Sequence, residues 1–164
     1  MVPIYNADKY INECLESVMK QTYANYACVI IDDCSTDQTA SLIRSFEDDP
    51  ISPKFTRVYN QIRAGSPLAN IVKGISRMSG SGEDIIVNLD GDDRLHHDRV
   101  LERLDAIYSD SEVWMTYGNF VPRSGAYGPY CQPIEDTRHY RKSRKWYASH
   151  LRTFKAKLWN KQGH

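Results

Sequence analysis

The feature that most constrains this chain is the stretch of residues 85–93, in which an apolar run leads directly into three carboxylates. Residues 85–89 have the apolar or strand-compatible character of a buried parallel strand. Asp90, Asp92 and Asp93 follow within four positions. In open α/β sheets, ligands bind beyond the carboxyl ends of the strands, and carboxylates this close repel one another unless a cation or a bound proton offsets their charge. The stretch therefore predicts a divalent-metal site, for Mg2+ or Mn2+, beside a phosphate.

Two other interpretations of these acids can be tested on spacing. An EF-hand loop that begins at Asp90 requires Gly at its sixth position and Glu at its twelfth, where this chain has Leu95 and Leu101. The EF-hand is therefore excluded. A loop of solvated acids that precedes a helix starting near Asp98 stays open, because a single Asp-x-Asp is a weak signal.

The overall composition is that of one globular domain. Of the 164 residues, 41% are hydrophobic and 26% are charged, which suffices for an ordinary core. No apolar run reaches the length of a bilayer and we find no secretory leader, so we expect any membrane contact to be peripheral or to lie outside this chain. The four cysteines show no Cys-x-x-Cys spacing, which favours free thiols and a cytoplasmic location.

The net charge of zero conceals an uneven distribution of charge. All 21 acidic residues lie in residues 1–137, whereas residues 138–164 carry 9 of the 21 Lys and Arg residues and no acid. Such a basic block suits the phosphates of a donor, a lipid-linked acceptor, a membrane surface or nucleic acid. A solvated surface segment is an equally good interpretation.

Predicted strands alternate with predicted helices along the chain. Strands are expected at residues 2–6, 28–31, 56–59, 85–89 and 113–117, and helices at residues 7–20, 40–46, 68–78 and 98–108. The apolar faces of the last two helices are expected to be Leu68, Ile71, Val72, Ile75 and Met78, and Val100, Leu101, Leu104, Ile107 and Tyr108. This alternation predicts an α/β fold with a Rossmann-like, doubly wound, mostly parallel sheet and helices on both faces. From Gly118 to about residue 145 the pattern predicts a long loop.

Polar residues follow four of the predicted strands. These strand ends are Tyr5 and Asn6, Asp32 and Asp33, residues 60–66, and residues 90–93. In a parallel sheet they meet at one edge, where an aromatic ring can stack on a base, a carboxylate can accept an N–H of that base, and a metal can bridge a diphosphate. Each residue alone has an ordinary structural explanation, but their joint occurrence favours a nucleotide site.

Three segments of the chain resemble the signature stretches of glycosyltransferase family 2. They are VPIYN at residues 2–6, IIDDCSTD at residues 30–37 and LDGDD at residues 89–93. The resemblance covers roughly residues 2–120 in the right order, and residues 149–154 resemble a later segment of some members. It implies a GT-A fold and an inverting enzyme that uses a nucleotide sugar and a divalent metal, Mn2+ or Mg2+.

The resemblance also implies how the nucleotide is held. Pro3 and Tyr5 would belong to the base pocket, and Asp33 would accept the N3–H of a uracil-like base, with Asp32 as its structural neighbour. Three further residues stand where the family has its nucleotide-proximal loop, without a strict motif: Arg63, Gly65 and Ser66.

For the phosphates, the resemblance implies a metal site on the acidic stretch. Asp90 would approach the ribose or the metal, and Asp92, at the end of Asp-x-Asp, would ligate the metal that bridges the two phosphates. Asp93 would assist through water.

The chain departs from the family pattern at two places. Only Met1 and Val2 precede Pro3, so the first strand is short. Inverting transfer also needs a general base. In the family this carboxylate lies well downstream of Asp-x-Asp, whereas no acid follows Asp136 here. Asp136 is a weak candidate, and we expect residues 1–120 to form the donor-binding core and residues 121–164 a loop-rich basic segment leading towards a missing acceptor-binding region.

The predicted function is transfer of a sugar from a nucleotide diphosphate donor, most simply a UDP-sugar, to a hydroxyl of a carbohydrate or lipid-linked acceptor in polysaccharide or glycoconjugate synthesis. We expect no nucleic-acid partner, and we allow peripheral membrane contact through residues 138–161. One alternative is a truncated, non-catalytic nucleotide-sugar-binding module. Another is a sugar nucleotidyltransferase, which residues 7–9 disfavour because they supply none of the glycines of a phosphate loop.

Overall fold

The fold is that of a computed structural model, in which residues 1–46, 54–78, 80–125, 131, 134, 147 and 149–160 are described. The strands are β1 (Val2–Ile4), β2 (Cys28–Asp32), β3 (Phe55–Tyr59), β4 (Ile85–Asn88), β5 (Met115–Gly118) and β6 (Ser149–Lys155). The helices are α1 (Ile11–Met19), α2 (Thr39–Ser45), α3 (Pro67–Ser76), α4 (Val100–Tyr108) and α5 (Lys157–Asn160).

The first half of the sheet is parallel. β1 and β3 both pair with β2, so that Ile30 lies between Val2 and Arg57. All five residues of β2 are buried, as expected for a strand that is covered on both faces. Ile30 packs in the cluster that includes residues of α1 and α2, whereas a Cβ added to Gly74 of α3 would lie 2.8 Å from Ile31 Cδ1. The helices therefore lie on both faces, as the sequence predicted.

The second half of the sheet is antiparallel, because β6 runs between β4 and β5 and pairs with both. Backbone hydrogen bonds join the two halves: Leu89 N donates to Met1 O at 3.0 Å, and Gly91 N donates to Pro3 O at 3.2 Å. Pro3 has no N–H with which to return a bond to β4, so the junction stays short. These bonds place β1 beside the end of β4 and so join two three-stranded sheets, β1-β2-β3 and β4-β6-β5, into the order β3-β2-β1-β4-β6-β5. The predicted α/β fold class is confirmed, while β6 as a strand of the sheet was not predicted.

The apolar core follows the helical spacing in α1 but not in the later helices. Four residues of α1 at positions compatible with one face are buried: Ile11, Cys14, Leu15 and Val18. In α3 the buried residues are Asn70 and Gly74, and the predicted core residues Leu68 and Val72 are exposed. The small Gly74 lets this helix lie close to the sheet, and that contact sets which face is buried.

α4 also buries less than its apolar pattern predicted. Only Tyr108 is fully buried in this helix, and Ile107 is 39% exposed. Tyr108 Oη lies 2.7 Å from Thr153 Oγ1 of β6, so a polar contact with the antiparallel half fixes the orientation of the helix. All four cysteines are free thiols, as predicted. Within the described ranges, we find no helix with the length and hydropathy needed to cross a membrane.

Candidate functional site

A cleft of about 310 Å³ opens where β1, β2 and β4 end. Its walls come from the end of β1 and the start of α1, from the end of β2, from the loop before α3, and from the acidic stretch after β4. The residues that line it include Pro3, Tyr5, Asp33, Arg63, Gly65, Ser66, Asn70, Asp90, Gly91 and Asp92. The carboxyl ends of neighbouring strands thus meet at one edge of the sheet, where α/β folds bind their ligands.

The backbone after β1 is held against the turn that follows β2. Asn6 adopts a positive φ of 48°. Its N–H donates to Ser35 Oγ at 2.9 Å, and its side-chain oxygen accepts the N–H of Thr36 at 2.8 Å. These bonds fix the segment that carries Tyr5, which stays 37% exposed at the cleft.

The planar guanidinium group of Arg63 stacks on the ring of Tyr5. The guanidinium carbon of Arg63 lies 3.6 Å from the centroid of the Tyr5 ring. Guanidinium groups stack on aromatic rings through both electrostatic and dispersion forces. The pair therefore forms a flat, partly exposed platform of a kind on which a nucleobase can stack.

Asp33 organises the loop that carries Arg63. Its Oδ1 accepts the side-chain amide of Asn60 and the backbone N–H of Ala64, both at 2.7 Å, and its Oδ2 accepts the N–H of Gly65 at 3.2 Å. Gly65 has a φ of +66°, a conformation that glycine adopts readily and that turns its N–H towards the carboxylate.

These bonds also decide the charge of Asp33. Burial alone raises the pKa of a carboxyl group, but the donors Ala64, Asn60, Asn70 and Gly65 outweigh it and hold the pKa of Asp33 below its usual range. Asp33 is therefore an ionised acceptor at neutral pH. Oδ2 has the weaker of its contacts and retains the capacity to accept a further hydrogen bond.

Asp32 has a different role from its neighbour. It is buried in β2, and its carboxylate accepts hydrogen bonds from the backbone N–H and the hydroxyl of Ser35. It is not among the residues that line the cleft. Its contacts with Ser35 shape the turn after β2.

The acidic stretch meets a histidine from β6. The antiparallel register pairs Asn88 with Arg152, which brings His150 opposite Asp90 two positions further along. His150 Nε2 lies 2.8 Å from Asp90 Oδ2, and His150 Nδ1 lies 3.1 Å from Asp93 Oδ2. A turn in which Asp93 N donates to Asp90 O directs both carboxylates to the same ring.

Asp90, Asp93 and His150 can each offer one ligand atom, and these atoms all lie within 4.8 Å of one another. Two carboxylate oxygens and one imidazole nitrogen fit a divalent ion such as Mn2+, and oxygen ligands also suit Mg2+. The pKa of Asp93 is raised: its burial is the largest cause, the charges of His150 and Arg123 oppose the rise, and those of Asp92 and Asp90 add to it. A bound cation would relieve this repulsion.

The structure brings together most of the residues that the sequence singled out. Of the predicted nucleotide-binding residues, all except Asp32 line the cleft. Of the predicted metal ligands, Asp90 and Asp93 join His150, whereas Asp92 lines the cleft outside that group of three. Asp136, the candidate base, lies outside the described residues.

His150 is the site residue that the sequence reasoning missed. It lies in residues 149–154, a segment that resembles part of some family members, but the resemblance implies no role for it. The buried residues of β6 are the polar residues Ser149, Thr153 and Lys155, so hydrophobic periodicity gives no signal for this strand.

Comparison with known proteins assigns the chain to a family. The model of the family described as Glycosyl transferase family 2 matches residues 1–163. The chain belongs to glycosyl transferase family 2. It is similar to the glycosyltransferase GlyG of Streptococcus pneumoniae serotype 4, with 31% identity over 122 residues, or 73% of this chain and 38% of GlyG.

Two solved structures show the same fold as this family 2 chain. One is S. aureus TarS 1-349 in complex with UDP, with a TM-score of 0.73, 20% identity, and coverage of 99% of this chain and 47% of that chain. The other is the mannosyltransferase PcManGT from Pyrobaculum calidifontis in complex with GDP-Man and Mn2+, with a TM-score of 0.73, 22% identity, and coverage of 99% and 45%. The predicted GT-A fold is confirmed. The chain spans less than half of the length of each of these three proteins.

Proposed function

We propose that this chain is the donor-binding part of a metal-dependent, inverting glycosyltransferase that uses a nucleotide diphosphate sugar, with UDP as the nucleotide. The observation that carries the proposal is the convergence of Asp90, Asp93 and His150 beside a cleft whose other wall holds Tyr5 and Asp33. The first group suits a metal on a diphosphate, and the second suits a nucleobase. TarS, which has the same fold, was crystallised with UDP.

The base would stack on Tyr5 and present its N3–H to Asp33. Tyr5 and Asp33 line the same cleft, and Asp33 is an ionised acceptor with remaining capacity at Oδ2. Uracil has an N–H at position 3 and cytosine does not, so this geometry favours UDP. Arg63 would either contact the bound base or be displaced from the Tyr5 ring by it.

The diphosphate would lie towards Asp90 and the metal-binding group. Asp90, Asp93 and His150 would hold the ion, and Asp92, which lines the cleft, is proposed as an additional ligand. A bound divalent ion would supply Lewis-acid stabilisation of the departing nucleoside diphosphate. Ser66 and Pro67, at the beginning of α3, line the same cleft, and their position near a helix N-terminus favours negative charge.

The acceptor side of the proposal rests on the family. The acceptor would be a hydroxyl of a carbohydrate or of a lipid-linked carbohydrate, and inversion would require a base that removes its proton. The carboxylates that line the cleft have other proposed roles: Asp33 holds a loop, Asp90 contacts His150, and Asp92 is the proposed additional metal ligand. A cytoplasmic location and peripheral membrane contact through residues 138–161 belong to this part of the proposal.

The test is a thermal-shift series with UDP, GDP, TDP and CDP, each with and without Mn2+. Ligands that bind only the folded state raise the melting temperature, by an amount that grows with ligand concentration over Kd. We expect UDP with Mn2+ to give the largest shift, and UDP alone a smaller one. Absence of any shift with all four nucleotides at millimolar concentration would refute the proposed function.

A further inference from the structure

Arg152 makes contacts with two of the candidate metal ligands. Its Nη2 lies 3.0 Å from His150 Nε2 and 3.7 Å from Asp90 Oδ2. β6 presents Arg152 and His150 on the same face of the sheet, because they are two residues apart in a strand. The register that pairs Arg152 with Asn88 fixes the position of its backbone.

A metal ion and this guanidinium would compete for the same atoms. Asp90 Oδ2 and His150 Nε2 belong to side chains that can ligate a metal, and both atoms lie next to the positive charge of Arg152. A divalent ion there would repel the guanidinium strongly at such a distance. The side chain of Arg152 is 56% exposed, so it can turn away without leaving a buried site.

The cleft offers a new partner for the displaced guanidinium. Asp90 lines the cleft, and Arg152 Nη2 lies 3.7 Å from Asp90 Oδ2, so the guanidinium is next to the region where a metal-bound diphosphate would sit. Arginine binds phosphate through two parallel N–H donors, which lysine cannot reproduce. The same residue can therefore balance the acids before metal binds and bind phosphate afterwards.

We propose that Arg152 is a phosphate-binding residue of the donor site that, in the absence of metal, serves as the counter-cation of Asp90. The proposal rests on the proposed function, since it requires a metal and a nucleoside diphosphate in this cleft. It adds Arg152 to the donor site and predicts that its guanidinium exchanges Asp90 for phosphate when metal binds. The loss of Arg152 should then change the affinities for Mn2+ and for the diphosphate in opposite directions. Removing Arg152 should help Mn2+ to bind and should hinder the diphosphate.

The test is calorimetric titration of the wild-type chain and of Arg152→Gln with Mn2+ alone, and with UDP and UMP in the presence of Mn2+. We expect Arg152→Gln to bind Mn2+ about two- to fivefold more tightly, the range of an exposed ion pair. We expect it to bind UDP about tenfold more weakly, the loss of a charge-assisted hydrogen bond, with UMP less affected. Arg99→Gln is the matched control, because Arg99 is an exposed arginine that pairs with Glu102 on α4 and should change neither affinity.

Arg152→Lys separates charge from geometry. It keeps the positive charge, so its Mn2+ affinity should stay at the wild-type value, while its UDP affinity should fall because the planar donor pair is lost. Unchanged or weaker Mn2+ binding by Arg152→Gln, or equal losses for UDP and UMP, would overturn the inference. If the wild-type chain binds neither Mn2+ nor UDP, the proposed function fails instead.

Discussion

Gly91 separates Asp90 from Asp92, and its lack of a side chain holds the acidic stretch close to β1. A Cβ added at this position would lie 2.5 Å from Ile4 Cγ1, 3.2 Å from Ile4 Cβ and 3.3 Å from Pro3 O. Gly91 is not among the glycines with a positive φ, so the requirement is for space rather than for an unusual backbone conformation. Gly91→Ala therefore tests how closely the acids must approach β1.

The size of the effect can be worked out from these distances. Carbon atoms pack at about 3.5–4.0 Å, so the contact with Ile4 Cγ1 is too short by roughly 1 Å. Ile4 is buried in the core and has little room to move, so the stretch with Asp90 and Asp92 must move instead. Overpacking of this kind costs about 1–3 kcal/mol, which for a chain of this size lowers the melting temperature by about 2–12 °C.

The assay is thermal unfolding followed by circular dichroism, combined with titration of UDP with and without Mn2+. We expect Gly91→Ala to melt lower and to lose most of the Mn2+ enhancement of UDP binding, because Asp90 moves away from His150. Gly82→Ala is the glycine control: its added Cβ would come no closer than 3.3 Å to Lys157 Cβ, so we expect a smaller change in stability and normal UDP binding.

A double-mutant cycle decides whether the cause is the contact with Ile4. Ile4→Ala alone should cost about 2–5 kcal/mol as a buried truncation, but it removes Cγ1 and so relieves the clash. The pair Gly91→Ala with Ile4→Ala should therefore be destabilised by less than the sum of the single changes, by about 1 kcal/mol or more. Strict additivity, or a wild-type melting temperature for Gly91→Ala, would show that the contact with Ile4 does not set the position of the acidic stretch.

Three further predictions concern the proposed donor site. CDP should bind about tenfold more weakly than UDP, because cytosine has no N3–H for Asp33; equal affinity in calorimetry would exclude that role. Asp92→Asn should reduce the Mn2+ enhancement of UDP binding and leave metal-free binding unchanged, and an undiminished enhancement would remove Asp92 from the ligands. None of the carboxylates at the cleft is proposed as a general base, whose help is typically worth about 10²–10⁴-fold, so this chain should release UDP from UDP-sugars slowly and without dependence on acceptor. Rapid acceptor-dependent release would place a base within these residues, with Asp136 as the first position to mutate.

The parallel half of the sheet was predictable from the sequence because its signals are local. Residues 28–31 form an unbroken apolar run, and the observed strand β2 differs only by the inclusion of Asp32. Parallel strands have their carboxyl ends at one edge, so the meeting of Tyr5, Asp33 and Asp90 followed from the fold class. Spacing within short segments was sufficient for that inference.

The antiparallel half was not predictable in the same way, because it depends on pairing between distant segments. β6 inserts between β4 and β5, and this register alone brings His150 to Asp90 across 60 positions of sequence. Hydrophobic periodicity also predicted the wrong buried face for α3: Gly74 and the hydrogen-bonded Asn70 are buried, while Leu68 is exposed. Hydrophobic spacing shows that a helix has an apolar face, but it does not show when a hydrogen-bonded polar face is buried in its place.

The most direct test of the donor-site account is pulsed electron paramagnetic resonance of Mn2+ bound to the chain with UDP. We expect two hyperfine couplings on the same ion: 31P from the diphosphate, and 14N from the imidazole of His150. The 14N coupling should disappear in His150→Ala. Mn2+ that shows 31P coupling but no protein nitrogen in the wild-type chain, or a nitrogen coupling that persists in His150→Ala, would contradict the assignment of Asp90, Asp93 and His150 as the metal site.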